Sequence, residues 1–599
     1  MIAATLLGLV AAAFLGFVFR SHLTPTVGRA INHLRSWDAP PGTLVVEEAQ
    51  SVRAAQSPAA APPLTPPAPS TASTASTAST ASTASATSSD WPSYNRTLTS
   101  ERYSPLDLIN RDNVGALKVL CSYDTLEYSS FQTGPLLVDG ALIGTTERDI
   151  FSIDPVTCKQ RWRTHEKYRH TSVSRGAAYF DGLLYRGTGD GRVMAYDLKT
   201  GARLWESTIA NAVGESASAA PIAWNGLIFI GNAGGDNKGV KGRMYALDAK
   251  TGRIVWEFYL VPRGPRDPVR GPQGASPLDP TTWGNQPGIP ITGGATWTSY
   301  TLDPESGELY VPAGNSAPDF ARGPRPGLNL YSGSVVVLDA KTGAYKRHFP
   351  LTSGDWHDWD VSNTPALLRT RSGKRLLAVA PKNGYLYGID LDSGALLYRS
   401  AATRIENADA PLSGDKPVRF CPGTRGGAEW NGPAYDPQTN LIFIGEVDWC
   451  STVRLQTDAQ LAAAKPGGVW GGMATYNPYD IFGTHDPYPQ WAGWVYASDA
   501  DTGAWRWRAK SNYPIQSGIT PTAGGVVFFG DMGGNFYALD AASGRRLWGA
   551  NLGGAIGGGV ISYSAGGAQK VAVAAGFTSV LWPTKVVTAK IVILGFPEH

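Results

Sequence analysis

Charge, histidine and cysteine are all scarce in this chain. Only 17% of its residues are charged, the formal net charge is +3 and no long basic run occurs, so the electrostatic footprint of a nucleic-acid binder is missing. The eight histidines show no paired ligand spacing, which argues against zinc. The four cysteines never fall into Cys-x-x-Cys-His, so no covalent haem is expected. One apolar run approaches the length of a bilayer span, Ile2 to Phe19. No Lys or Arg precedes it, no small-residue cleavage site stands out, and Arg20, Arg29 and Arg35 come after it. By the positive-inside rule those arginines would even place the chain after the run in the cytoplasm. We read residues 1–35 as an export signal or a retained membrane anchor.

The next stretch of chain is low in complexity. Ala-Pro-Pro-Leu-Thr-Pro-Pro and then Ser-Thr-Ala repeats fill Ala54 to Asp90. Such a stretch has too little apolar surface to offset its ordering entropy, so residues 36–90 are read as a disordered linker. The globular part, 91–599, is larger than one ordinary core, which leaves several domains or one closed repeat. Seventy glycines, nineteen tryptophans and twenty-five tyrosines favour short strands and tight turns.

A repeat is present. Seven times a short apolar strand ends in Asp, passes through a turn that usually contains Gly, and reaches an aromatic or basic residue eight positions on. The aspartates are Asp154, Asp197, Asp248, Asp339, Asp390, Asp499 and Asp540, and their partners are Trp162, Trp205, Trp256, Arg347, Tyr398, Trp507 and Trp548. In Asp248 to Trp256 the Asp opens a hairpin, Gly252 supplies the positive φ, and alternation resumes on the return strand. Small sheets of this spacing bury their faces by stacking radially into a propeller, with the Trp wedged between neighbours. The intervals between aspartates are 43, 51, 91, 51, 109 and 41. The two long ones carry insertions, Val261 to Pro290 and Leu455 to Gln490, expected to wall a pocket.

One heptad is written unlike the rest. Gly354 to Asp360 alternates acid with indole, placing Asp355, Asp358 and Asp360 around Trp356 and Trp359. Carboxylates this close repel unless water, cations or a bound metal compensates, and the indoles argue against plain water. The rival reading is an acidic surface loop.

These repeats, with Trp-Pro-Ser-Tyr-Asn-Arg and Arg-Tyr-Ser-Pro-Leu at Trp91 to Leu106, resemble the pyrroloquinoline-quinone (PQQ)-dependent dehydrogenases of methanol, alcohols and glucose. The resemblance implies an all-β fold, an eight-bladed β-propeller of four-stranded antiparallel blades. It implies Asp358 as the base that takes the substrate hydroxyl proton while hydride passes to a metal-bound quinone. Ligands for calcium or a lanthanide would be Asp236, Asn315 and Asp358, with Asp360 a further candidate. Asp236 stands in Gly-Asp-Asn-Lys-Gly-Val-Lys-Gly, where counting from the other side would choose Asn237. For the quinone, Trp297 would be the stacking floor, Arg175 would pair with a carboxylate and Lys382 would sit near the reactive carbonyl, with Ser218 and Gln132 as looser polar contacts. His357 is read as a packing or hydrogen-bonding residue.

Two departures stand out. Relatives stack the other quinone face on adjacent cysteines, absent here. The cysteines instead match Cys121 with Cys158 and Cys421 with Cys450, favouring an oxidising compartment, against the rival of four free thiols in a cytosolic scaffold. Where the family has an amide, this chain has Glu429, before Trp430 and Asn431. Without haem, electrons would go to a separate acceptor, a cytochrome c or a membrane quinone. The expectation is a periplasmic enzyme, free or held at the inner membrane, acting on an alcohol, polyol or sugar. The alternative is a noncatalytic propeller used as a binding or envelope-assembly scaffold.

Overall fold

A computed structural model describes residues 42–49, 90–167, 172–210, 213–274, 280–474, 483–488 and 490–597. The expected export segment and nearly all of the expected linker lie outside these. Eight antiparallel sheets, each with a four-stranded meander, succeed one another along the chain, with a small three-stranded sheet beside them. Blades 1 to 7 take 136–165, 178–208, 222–259, 301–350, 366–401, 434–511 and 520–551 in chain order. Blade 8 is shared by the two ends of the domain, for Lys118–Asp124 adds to Val560–Ala565, Ala568–Ala575 and Lys590–Gly595. The Cys121–Cys158 disulfide then ties that seam to the turn of blade 1.

The repeated aspartates explain the turns. Asp197 Oδ1 accepts the N–H groups of Lys199 and Thr200 and the Thr200 hydroxyl, and the N–H of Gly201 returns to the Asp197 carbonyl. The fifth turn position has positive φ throughout, Gly in six blades and Cys158 in blade 1. The glycine does more than bend. A Cβ on Gly201 would lie 2.4 Å from the Trp162 ring of the preceding blade, so the bare Cα is the seat of the wedge.

Five of the seven wedges also have a fixed acceptor. Trp162, Trp205, Trp256 and Trp507 donate Nε1–H to the carbonyls of Leu198, Ala249, Ala340 and Ala541, the residue after the next blade's Asp, and the Tyr398 hydroxyl donates to Ala500 in the same way. Arg347 breaks the rule. It pairs with Glu308 on its own blade at 2.6 Å, and Gly394 of the next blade is left uncovered. The segment 91–106 ties the hub, hydrogen-bonding through its backbone to Leu137, Leu302, Leu367, Tyr435 and Pro521, one residue from each of five innermost strands.

Within the stretch read as linker, Leu44–Glu48 is a strand. It pairs with the outer edge of blade 6, Glu48 opposite Trp507 and Leu44 opposite Ser511, with Glu47 on Arg508 at 2.6 Å. Leu-Val-Val supplies the β-branched, half-buried surface that an open edge accepts. The insertions also differ from expectation. Residues 270–274 run along the outer edge of blade 3, where Glu257 N–H donates to Pro272 and Gly274 N–H to Glu257.

Candidate active site

Strand direction gathers the chemistry at one end of the ring. Gln132, Arg175, Ser218, Trp297, Asp358, Asp360 and Glu429 each stand a few residues before the innermost strand of blades 1 to 6. Asp236, Asn315 and Lys382 each stand just after the second strand of blades 3, 4 and 5. In an antiparallel meander the start of the first strand and the end of the second share an end, so all ten converge. They line a cavity of about 1350 Å³. No described residue of 261–290 or 455–490 lines it. The second insertion instead backs the wall, since the N–H of Trp470 donates to the Asp236 carbonyl at 2.7 Å and that of Phe320 to Gly471.

The heptad divides by direction. Asp355 Oδ2 accepts the N–H groups of His357 and Trp359 at 2.9 and 2.8 Å. Burial pushes Asp355 up, but these bonds and the adjacent His357 hold it below the usual carboxylate range. The His357 ring stacks on Trp359 with centroids 4.1 Å apart and meets Phe420 edge-on. Trp356 and Trp359 donate to the carbonyls of Ala410 and Pro422. The indoles thus anchor the back of the loop while Asp358 and Asp360 face the cavity. Asp358 has φ of 64°, a conformation that costs energy in any residue with a Cβ and is held by these anchors.

Around Asp358 the acids crowd. Lys382 Nζ lies 3.3 Å from Asp358 Oδ2 and 2.8 Å from Asp360 Oδ2. Asp360 Oδ1 accepts the Asn315 N–H at 2.7 Å, an approach that needs Gly314 bare, since a Cβ there would lie 2.7 Å from the same oxygen. Carboxylate oxygens of Asp236, Asp319 and Asp358 lie within 4.8 Å of one another. The Asn237 amide is engaged elsewhere, on the Gly214 carbonyl at 2.8 Å. Burial, then Asp360, pushes Asp236 up to about 6. Burial raises Asp358 well above its ordinary range despite Lys382, and burial with Asp236 and Asp358 does the same to Asp319. Burial alone would lower Lys382, but Asp358 and Asp360 hold it well above the ordinary lysine value.

Two other clusters are already satisfied. Arg163 occupies the group of Glu127, Asp149 and His165, and a disulfide joins Cys421 and Cys450 beside Glu406.

Opposite the acids lies a cationic aromatic floor. The Arg175 guanidinium stands 4.5 Å from the Trp297 ring centroid and 5.7 Å from Trp430, and Lys382 stands 5.5 Å from Trp297. Arg175 Nη1 donates to the Trp297 carbonyl at 2.7 Å and to Ser218 Oγ at 3.3 Å. Buried Arg175 Nε, Gln132 Oε1 and Asp358 Oδ1 have no protein partner. Burial pushes Glu429 up to about 7. A protonated carboxyl presents a donor beside an acceptor, as a side-chain amide does with one donor more, which brings Glu429 close to the amide expected there. A planar polyacid with a hard cation fits this set, because unpartnered donors and acceptors, two cations beside a flat indole and a cluster of carboxylates line one cavity.

Sequence reasoning missed Asp319. It lies four residues after Asn315, and the Asn315 side-chain amide donates to its Oδ1 at 2.9 Å.

A model described as a glucose/ethanol/alcohol dehydrogenase β-propeller domain with the name PQQ matches residues 91–412. A second, for the outer-membrane assembly factor BamB, matches 492–582, which holds none of the clustered acids. The dehydrogenase subunit of the quinone alcohol dehydrogenase of Gluconobacter oxydans is 32% identical over 82% of this chain and 70% of its own. The lanthanide-dependent methanol dehydrogenase of Methylacidiphilum fumariolicum is 28% identical over 79% and 82%. The crystal structure of quinohemoprotein alcohol dehydrogenase from Comamonas testosteroni superposes with a TM-score of 0.74 and 26% identity, over 85% of this chain and 82% of that one.

Proposed function

Because the chain belongs to the PQQ-dependent dehydrogenase family, we propose that it oxidises an alcohol, polyol or sugar in this cavity. One observation carries the reading. A buried carboxylate with an unpartnered oxygen, Asp358, stands between an acid cluster suited to a hard cation and a cationic indole floor suited to a planar polyacid.

Asp236, Asn315, Asp358 and Asp360 would hold calcium or a lanthanide, and Trp297, Arg175, Lys382, Gln132 and Ser218 would hold PQQ. Bound there, the metal-loaded quinone supplies the hydride acceptor. The chain's part is the proton. Asp358 Oδ1 is free to take it from the substrate hydroxyl, because Lys382 is spent on Oδ2 and on Asp360. Lys382 and the ion also offset the burial, and after it the neighbouring acids, that otherwise raise Asp358. The anchored loop fixes the carboxylate, so little reorganisation accompanies the transfer. A noncatalytic scaffold would not require base, ligands and floor together.

Electrons would leave to a separate acceptor, a cytochrome c or a membrane quinone, in the periplasm, with residues 1–35 serving as signal or inner-membrane anchor. Reconstituting the purified chain with PQQ plus calcium or lanthanum, then measuring dye reduction over a panel of alcohols and sugars, tests the class. Absence of both turnover and retained quinone absorbance would sink it.

A further inference from the structure

Asp319 has no part in that chemistry and lies behind the cavity lining, fully buried beside Asn315. Its side chain is 0% exposed, and its Oδ2 has no partner. Its Oδ1 accepts from Asn315, itself a candidate ligand, and its carboxylate lies within 4.8 Å of oxygens of Asp236 and Asp358. The chain behind it is rigidly fixed. Arg325 Nε donates to the Pro318 carbonyl at 3.1 Å and Nη2 to the Asp319 carbonyl at 2.9 Å, while the Phe320 N–H bonds Gly471. A carboxylate held this firmly, buried and with one oxygen unpartnered, stands within an acid cluster with hydrogen-bonding capacity unused.

We propose that Asp319 is a fourth carboxylate ligand of the metal ion, and that it makes the site selective for a trivalent lanthanide over calcium. The inference rests on the quinone and metal reading and deepens it. Charge counting gives the selectivity. Asp236, Asp319, Asp358 and Asp360 together bring four negative charges, and Lys382, close to two of them, returns one. A trivalent ion neutralises the remainder, whereas calcium leaves one uncompensated charge in a buried place. The two ions are of about the same size, so the number of anionic oxygens rather than the fit of the cavity separates them.

The test uses the full chain, stripped of metal, titrated with Tb³⁺ by luminescence and with Ca²⁺ by calorimetry, each with and without PQQ. Asp319→Asn is nearly isosteric, and Asp319→Ser is the second variant. We expect either change to weaken Tb³⁺ about 30-fold or more and Ca²⁺ by less than about 3-fold, since the lost charge matters more to the trivalent ion. Equal losses for the two ions, or no loss, overturn the proposal while leaving the quinone reading intact. An unmodified chain that binds PQQ but neither ion overturns both. A crystal of the unmodified chain with the lanthanide decides the geometry without any variant. Asp319 oxygen at about 2.3–2.6 Å from the ion supports direct ligation, and more than about 4 Å overturns it.

Discussion

The aspartates that close the blade hairpins and those that line the cavity sit at opposite ends of the same sheets. At the hairpin end, Asp197, Asp248 and Asp390 are each surrounded by donors, and their carboxyls are held below the ordinary range by Thr or Ser groups and backbone N–H bonds. At the cavity end, Asp319 and Asp358 are buried with half-buried Asp236 close beside them, and all three are pushed above it. One residue type therefore stabilises the fold at one end and is held ready for an ion and a proton at the other. Donor supply, not the carboxyl itself, decides which.

The comparison breaks first at Asp358. Asp358→Asn should lower kcat/KM by about 10³-fold or more while quinone remains bound, because the general base is removed and the other proposed ion and quinone contacts stay in place. Steady-state rates and retained absorbance read both halves, and unchanged turnover would move the base elsewhere. The tryptophans should separate next. Trp256→Ala should cost about 3–5 kcal/mol in chemical unfolding by emptying a blade junction, with quinone affinity kept wherever the variant folds. Trp297→Ala should do the reverse, losing quinone affinity with little change in melting temperature.

Glu429 gives a smaller, pH-dependent effect. If its protonated form substitutes for an amide, quinone affinity should fall several-fold as pH rises through about 7. Glu429→Gln should flatten that profile, and a profile unchanged by the substitution would rule the role out. The smallest effect belongs to the hairpins. Asp248→Asn should cost on the order of 1 kcal/mol at neutral pH. The folded carboxyl is depressed, so its contribution is present above the unfolded value of 3.8 and fades as pH falls through the lower folded value. The unfolding curves of the two proteins should therefore differ at pH 7 and draw together as pH falls to 3 and below.

Much of this was legible in the chain, and for a reason. The hairpin signal is local, since Asp, Gly and the wedge all lie within nine residues, so each repeat states its own turn and its own junction. The heptad was legible because three acids in six residues need a cation. What escaped was set by contacts between distant segments. Asp319 follows Pro318 with no motif around it, and only the fold brings it to Asp236 and Asp358. Leu44–Glu48 sat in a polar stretch too short to announce a strand, and its partner lies on blade 6. The insertion after Tyr259 could equally have turned toward the cavity. Its backbone found the open edge of blade 3 instead.

The shared eighth blade sets the order in which this molecule can be made. Thr125 bonds Ala589 across 464 residues, so the ring has no closed form until the last strand has been synthesised. Up to that moment Lys118–Asp124 has no partner, and the chain carries an open sheet edge through the slowest step of its assembly. A ribosome stalled before Lys590 would release seven formed blades with their junctions in place and a gap where the eighth belongs. Such a product is a template for pairing with another copy, and premature stops between Asn551 and Lys590 should yield aggregates more than inactive soluble protein.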